Sequence, residues 1–227
     1  MDEELIYLID QLKKDPMSGL TLVNRSKKSY LTMKNDFETN IYILIDGVVI
    51  ISLVGLKNQY HFMYLNRSSI VTILGAEDES VVKQPFDILV DSNEAQFYKI
   101  DRKIFWKIVN GNPRIGKYIR NYYRNQLQVN FSRLRQQLSN DRKGQICAFI
   151  YEAVQLFGVE SPKNTNYILI DHKITHGTIG KFIGASQRSS VSRIITNLIN
   201  DQIIESKSGY ITVKNLAYLD QYANKVG

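Results

Sequence analysis

The sequence predicts an α+β fold in three parts: a barrel- or sandwich-like β domain, one long helix, and a small domain of short helices closed by a β-hairpin. Three observations carry this expectation. Residues 20–100 alternate short β-rich runs with turn residues. Residues 101–138 hold no glycine after Gly116 and repeat apolar residues at helical spacing. The last third changes texture again, with Gly184 and Gly209 placed beside short apolar-periodic segments. The expected divisions are 1–104, 105–140 and 141–227.

In the first part, Ile41–Ile45 and Val48–Val54 flank Asp46-Gly47, a dipeptide that reads as a hairpin turn because both residues tolerate positive φ. A second turn candidate, Gly55–Asn58, precedes the run Tyr60–Leu65. Several short strands at this spacing indicate a closed or double-layered β structure.

From Asp101 to Leu138 a single long helix is expected, with Pro113 near a plausible start. Ile119, Tyr123, Leu127, Phe131, Leu134 and Leu138 recur at intervals of three or four and line one face. Arg114, Lys117, Arg120, Arg124, Arg133 and Arg135 fill most of the rest. Such a stripe either packs on its own domain or pairs with a twin helix; the second reading places Ile119, Tyr123, Leu127, Phe131 and Leu134 at a dimer interface.

After the polar joint Asp141-Arg142-Lys143, a further helix is expected over 144–157, then a loop over 158–166 and a strand over 167–170. The segment from Thr175 to Leu198 has the layout of a helix-turn-helix. Thr175 can cap its first helix, Ile179, Phe182 and Ile183 give it a buried face, and Gly184 suits the left-handed turn that ends it. Ser186 is placed to cap the second helix, whose Val191, Ile194, Ile195 and Leu198 form the core stripe. The opposite face is then Arg188, Ser189, Ser192 and Arg193, with Gln187 and Ser190 beside them. Guanidinium forks and small hydroxyls read base edges and grip phosphates in a major groove. The alternating segment 203–213 about Lys207-Ser208-Gly209 has the form of a wing, in which Lys207 reaches phosphate.

The runs I-T-H-G-T-I-G-K-F-I-G-A-S (174–186) and S-S-V-S-R-I-I-T-N-L (189–198) resemble the helix-turn-helix signature of the Crp/Fnr regulators. The whole chain follows that family's order of β-roll, dimer helix and winged helix. The resemblance is strongest to its PrfA-like members, through K-G-Q-I-C (143–147), S-S-V-S-R-I-I (189–195) and N-L-A-Y-L-D-Q-Y-A (215–223). It implies a cyclic-nucleotide-binding-like jelly roll at the N-terminus and a homodimer on a palindromic double-stranded DNA operator, with RNA polymerase as a further partner. By analogy with the effector tunnel of the PrfA-like members, Tyr64, Tyr118, Tyr122, Tyr123 and Tyr151 are candidates to line a pocket for an unidentified effector.

Two departures qualify the carry-over. One extra residue sits between Ser186 and Val191, and Ser189 stands where the family often has a base-reading Glu, so that residue's base preference does not transfer. The family's cyclic-nucleotide cassette is also missing its chemistry. The corresponding stretch, Leu74–Val82, carries Glu77, Asp78 and Glu79, and no Arg lies between Arg67 and Arg102 to hold a phosphate.

Charge agrees with a nucleic-acid partner. Residues 1–100 carry 10 Lys/Arg against 14 Asp/Glu, and residues 101–227 carry 19 against 8, so the net +7 is concentrated in the second half. No enzymatic constellation appears, and no cofactor or metal is expected: one cysteine, Cys147, and three histidines supply few ligands. Cys147 lies among Ile146, Ile150 and Val154 and reads as a small core residue; a redox role would need an exposed, acidified thiol. Without an export signal or an apolar run of about 20 residues, a cytoplasmic location off the membrane is expected. The alternative function is a β-roll sensor or protein-interaction module that does not read DNA.

Overall fold

The computed structural model describes residues 2–55, 59–74, 77–185 and 188–223. The chain divides into two compact units, Met1–Leu127 and Gln128–Gly227.

The first unit opens with α1 (Glu3–Lys14), where the Asp2 carboxylate accepts the Glu4 amide at 3.0 Å and Leu5, Leu8, Ile9 and Leu12 are buried along one face. The strands follow: β1 (Thr21–Ser26), β2 (Tyr30–Thr32), β3 (Phe37–Glu38), β4 (Asn40–Asp46), β5 (Val49–Val54), β6 (Gln59–Leu65), β7 (Ser69–Ile70), β8 (Val82–Lys83), β9 (Asp87–Val90) and β10 (Glu94–Asp101). They form two four-stranded antiparallel sheets, ordered β1-β10-β4-β7 and β2-β9-β5-β6, and a small β3-β8 ribbon. One sheet buries Ile41, Ile43, Ile70 and Ile100 together with α1. Leu44, Val49, Ile88, Val90 and Phe97 fill a second cluster.

The Asp46-Gly47 turn is not the hairpin expected from sequence. Strand β4 pairs with β10 and β7, whereas β5 pairs with β9 and β6, so the dipeptide is a corner between sheets. Its glycine is nonetheless required. Gly47 has φ +100°, and a Cβ there would stand 2.7 Å from the Ala95 Cα and the Glu94 carbonyl oxygen. The hairpin is instead β5–β6, with Val54 opposite Gln59; residues 56–58 of the second turn candidate lie outside the described residues.

The long helix expected within residues 101–138 is two helices, α2 (Arg102–Gly111) and α3 (Pro113–Ser139), the second beginning at the proline expected near a helix start. Asn112 is extended (φ −128°, ψ 106°), as the residue before a proline prefers, and its side-chain oxygen accepts the Arg114 amide at 3.1 Å. Phe105, Trp106, Val109, Ile115 and Ile119 from these helices join the α1 core. Arg102 is 1% exposed and donates from Nε to the Glu79 carbonyl oxygen at 3.1 Å.

In the second unit, α4 (Arg142–Phe157) starts at Asp141, whose carboxylate accepts the Gly144 amide at 2.8 Å, and buries Ile146, Cys147, Ile150, Ala153 and Val154. Then come β11 (Gly158–Ser161), β12 (Asn164–Ile170), α5 (His176–Phe182), α6 (Arg188–Asn200), β13 (Ile204–Lys207), β14 (Tyr210–Val213) and α7 (Leu216–Ala223). The strands form one sheet in the order β11-β12-β14-β13. The expected loop over 158–166 is therefore largely a hairpin, with Val159 opposite Leu169. The C-terminal part of α3 is fastened here by the Arg133–Glu152 ion pair and by Gln136, which donates to the Ala223 carbonyl at 2.9 Å.

Candidate nucleic-acid interface

The candidate surface is built from α5, α6 and the β13–β14 hairpin. Thr175 caps α5, its hydroxyl oxygen accepting the Thr178 amide at 3.0 Å. Ile179 is fully buried, while the Phe182 ring packs at a tilt against Phe149 of α4, with centroids 4.8 Å apart. Gly184 then takes φ +62°, and the Ala185 amide donates back to the Gly180 carbonyl at 2.8 Å. This six-residue closure with a left-handed glycine satisfies the helix end. Arg142 of α4 adds a donor at 2.7 Å to the exposed carbonyl of Ile183.

Ser186 and Gln187, expected as cap and DNA contact, lie outside the described residues. In α6, Val191, Ile195 and Leu198 are buried and Ile194 is half-buried, which directs the other face outward. Arg188, Ser189, Ser190 and Arg193 are exposed there. Ser192 differs from the expectation: it is half-buried, with Oγ 2.8 Å from Nδ1 of His176. Sequence reasoning missed that histidine, because a contact across sixteen residues leaves no local signal.

At the wing, Ser208 and Gly209 have consecutive positive φ values of 54° and 86°, and Lys207 pairs with Tyr210, giving the tight two-residue turn that matches strand twist. Lys207 is exposed. The Ile174 amide donates to the Gly209 carbonyl at 2.7 Å, so the turn is tied to the segment leading into α5. That contact brings Lys173, which the sequence analysis had not singled out, against the wing: a Cβ at Gly209 would lie 2.9 Å from its Cγ. Burial, with Arg188 as a second cause, holds the His176 imidazole below its usual range.

The remaining expected site residues separate into groups. Ile119 is 3% exposed and Tyr123 gives its hydroxyl to the Ile73 carbonyl at 3.0 Å, so their face of α3 is already occupied by their own chain. Further along, Leu127, Phe131, Leu134 and Leu138 are 55%, 62%, 49% and 79% exposed. Of the candidate pocket tyrosines, Tyr64 is buried and Tyr122 donates to the Ile70 carbonyl at 2.5 Å, both in the first unit with Tyr118 and Tyr123. Tyr151 belongs to the second unit, where it borders an open depression of about 340 Å³ together with Gln128, Ser132, Gln136 and Gln155. Cys147 is fully buried, and burial pushes its thiol up to about 12, the opposite of a reactive thiolate. Glu77, Asp78 and Glu79 are exposed. Among the described residues no group of three or more His, Cys, Asp or Glu is arranged to hold a metal, and no helix is long and apolar enough to cross a membrane.

Residues 144–222 match the family model of the Crp-like helix-turn-helix domain. Over 223 residues the chain is 36% identical to the lactate racemization regulatory protein of Lactiplantibacillus plantarum, covering 97% of this chain and 98% of that protein. It is 23% identical over 200 residues to the listeriolysin regulatory protein of Listeria monocytogenes, covering 88% and 84%. Among solved structures it is similar in fold to a transcriptional regulator of the CRP/FNR family from Thermus thermophilus, with a TM-score of 0.71 at 16% identity over 91% of this chain and all of that one.

Proposed function

The chain belongs to the Crp/Fnr family of DNA-binding transcription regulators, and on that premise we propose that it binds a palindromic operator as a homodimer, without cyclic-nucleotide control. The observation that carries this reading is the exposed face of α6, where Arg188, Ser189, Ser190 and Arg193 project from a helix whose opposite face is buried. An arginine can donate two parallel hydrogen bonds to guanine O6 and N7, and short hydroxyls reach either bases or phosphates. Gln187 precedes this face in sequence, Ser192 stands within it, and Lys207 in the wing supplies a phosphate contact.

Twofold pairing along α3, through Leu127, Phe131 and Leu134, sets two such helices on one duplex. The exposed carboxylates of Glu77, Asp78 and Glu79 disfavour a cyclic phosphate, and buried Arg102 is engaged on the Glu79 carbonyl. The role is regulatory rather than enzymatic, exercised in the cytoplasm with RNA polymerase as the second macromolecular partner. Lactate racemization, named for the Lactiplantibacillus plantarum relative, is the first process to examine for control by this protein.

Gel shifts with DNA upstream of the protein's own gene and of lactate-metabolism genes, repeated across salt concentrations, test the reading. Binding that survives unrelated competitor DNA and weakens steeply with salt supports it. Binding that competitor DNA removes entirely favours a module that does not read sequence.

A further inference from the structure

We propose that His176 is a proton-linked positioning residue of the DNA-reading surface: it holds the Ser192 hydroxyl in the free protein and takes up a proton when DNA binds. The inference rests on the DNA-binding reading above.

His176 is the first residue of α5, and its Nδ1 lies 2.8 Å from Ser192 Oγ in the midst of the α6 face that carries Arg188, Ser189 and Arg193. The ring is half-buried, so part of it remains open. The elements packed most extensively on α5 are α6 and α4. From α6 come Arg188, which acts on the ring electrostatically, and Ser192 itself. From α4 comes Arg142, whose guanidinium is engaged at the other end of α5 on the Ile183 carbonyl. Burial and, after it, the Arg188 charge hold the imidazole below its usual range and so keep it neutral at neutral pH.

Protonation changes what Ser192 can do. In the neutral ring Nδ1 is free to accept the Ser192 O–H. In the imidazolium both nitrogens are donors, so Nδ1–H points at Ser192 Oγ and the hydroxyl hydrogen turns to an outside acceptor. A DNA phosphate or base edge is such an acceptor. Bound DNA also neutralises Arg188 and adds negative potential, both of which favour the charged ring. The proton comes from solvent, and no other bond is made or broken.

The sign follows from linkage. A group protonated more readily in the complex than in the free protein makes binding tighten as pH falls through the window between the two titration midpoints, with no pH dependence from this group outside it. One proton per protomer sets a ceiling of about tenfold in affinity per pH unit per half-site, or about a hundredfold for a dimer on a full operator. The other histidines have different partners. His61 is buried against Ser52 Oγ at 2.9 Å in the first unit, and His172 stacks on Phe157 with ring centroids 4.4 Å apart.

The test uses the full chain and a duplex recovered by selection from a random DNA pool, with affinity measured by fluorescence anisotropy from pH 5.5 to 8.5 at constant ionic strength. Wild type is expected to bind at least tenfold more tightly at pH 6 than at pH 8, and His176→Gln is expected to lose that dependence. Imidazole nitrogen NMR on wild type supplies a second readout: the His176 midpoint should rise when the duplex is added. A pH-independent wild type, a slope that persists in His176→Gln, or a midpoint unmoved by DNA overturns the proposal. Failure to bind the duplex at any pH instead removes the DNA-binding reading beneath it.

Discussion

Replacing both Leu127 and Phe131 by Asp attacks the proposed dimer on the part of the α3 stripe that the monomer leaves uncovered. These side chains are 55% and 62% exposed, so one chain folds without their burial. Fully burying a side chain of this class contributes about 1.5–3 kcal/mol, which leaves about 1–2 kcal/mol each to be gained when a twin helix covers the exposed half. Four such side chains in a dimer amount to about 4–8 kcal/mol, or three to six orders of magnitude in dissociation constant at about 1.4 kcal/mol per decade. Four carboxylates placed in the seam add a desolvation cost of several kcal/mol per ion. Sedimentation equilibrium on wild type and the double variant reads the change, and far-ultraviolet circular dichroism checks that the fold survives. The expected outcome is a folded monomer at concentrations where wild type is dimeric. A double variant that still sediments as a dimer refutes the assignment of α3 as the interface.

Three further predictions bear on the surfaces and the core. Arg188→Ala and Arg193→Ala should each relax base preference at one position of the half-site by about 1–3 kcal/mol, whereas Lys207→Ala should weaken all duplexes alike and lower the salt slope by about 1 per half-site; binding across single-base operator variants separates the cases, and unchanged preference in both arginine variants contradicts the account of α6. Calorimetry with cyclic AMP and cyclic GMP should give no heat of binding on the proposed absence of cyclic-nucleotide control, which rests on the exposed carboxylates of Glu77, Asp78 and Glu79; micromolar affinity for either nucleotide would contradict it. The native Cys147 thiol, pushed up to about 12 by burial, should resist a thiol-reactive dye at pH 8 and react only on unfolding; labelling within seconds in the folded protein contradicts its burial.

The DNA-binding domain was the most legible part of the sequence because its signals are local. Thr175 lies beside the amide it caps, Gly184 takes the left-handed conformation only where α5 ends, and Ser208-Gly209 sets its hairpin within four residues. The first half was legible as a class and misread in topology. Asp46-Gly47 permits a reversal, but whether the strands beside it pair with each other depends on β9 and β10, some forty to fifty residues away. Helix α1 carries a readable pattern, Asp2 followed by Leu5, Leu8, Ile9 and Leu12, that an inspection for export signals alone passes over. The α3 stripe is uniform in sequence yet divided in structure: Ile119 joins the core of the first unit, whereas Phe131 is exposed. The His176–Ser192 contact and the buried Arg102 are products of packing and had no sequence signature.

The central claim, that two copies of this chain read a symmetric sequence, is tested most directly by selecting bound duplexes from a random pool with the full-length protein. The account predicts an enriched palindrome whose half-site centres lie about one helical turn, ~34–36 Å, apart, matching two α6 helices related by a twofold axis. An enriched site without internal symmetry, or no enrichment over the starting pool, contradicts it.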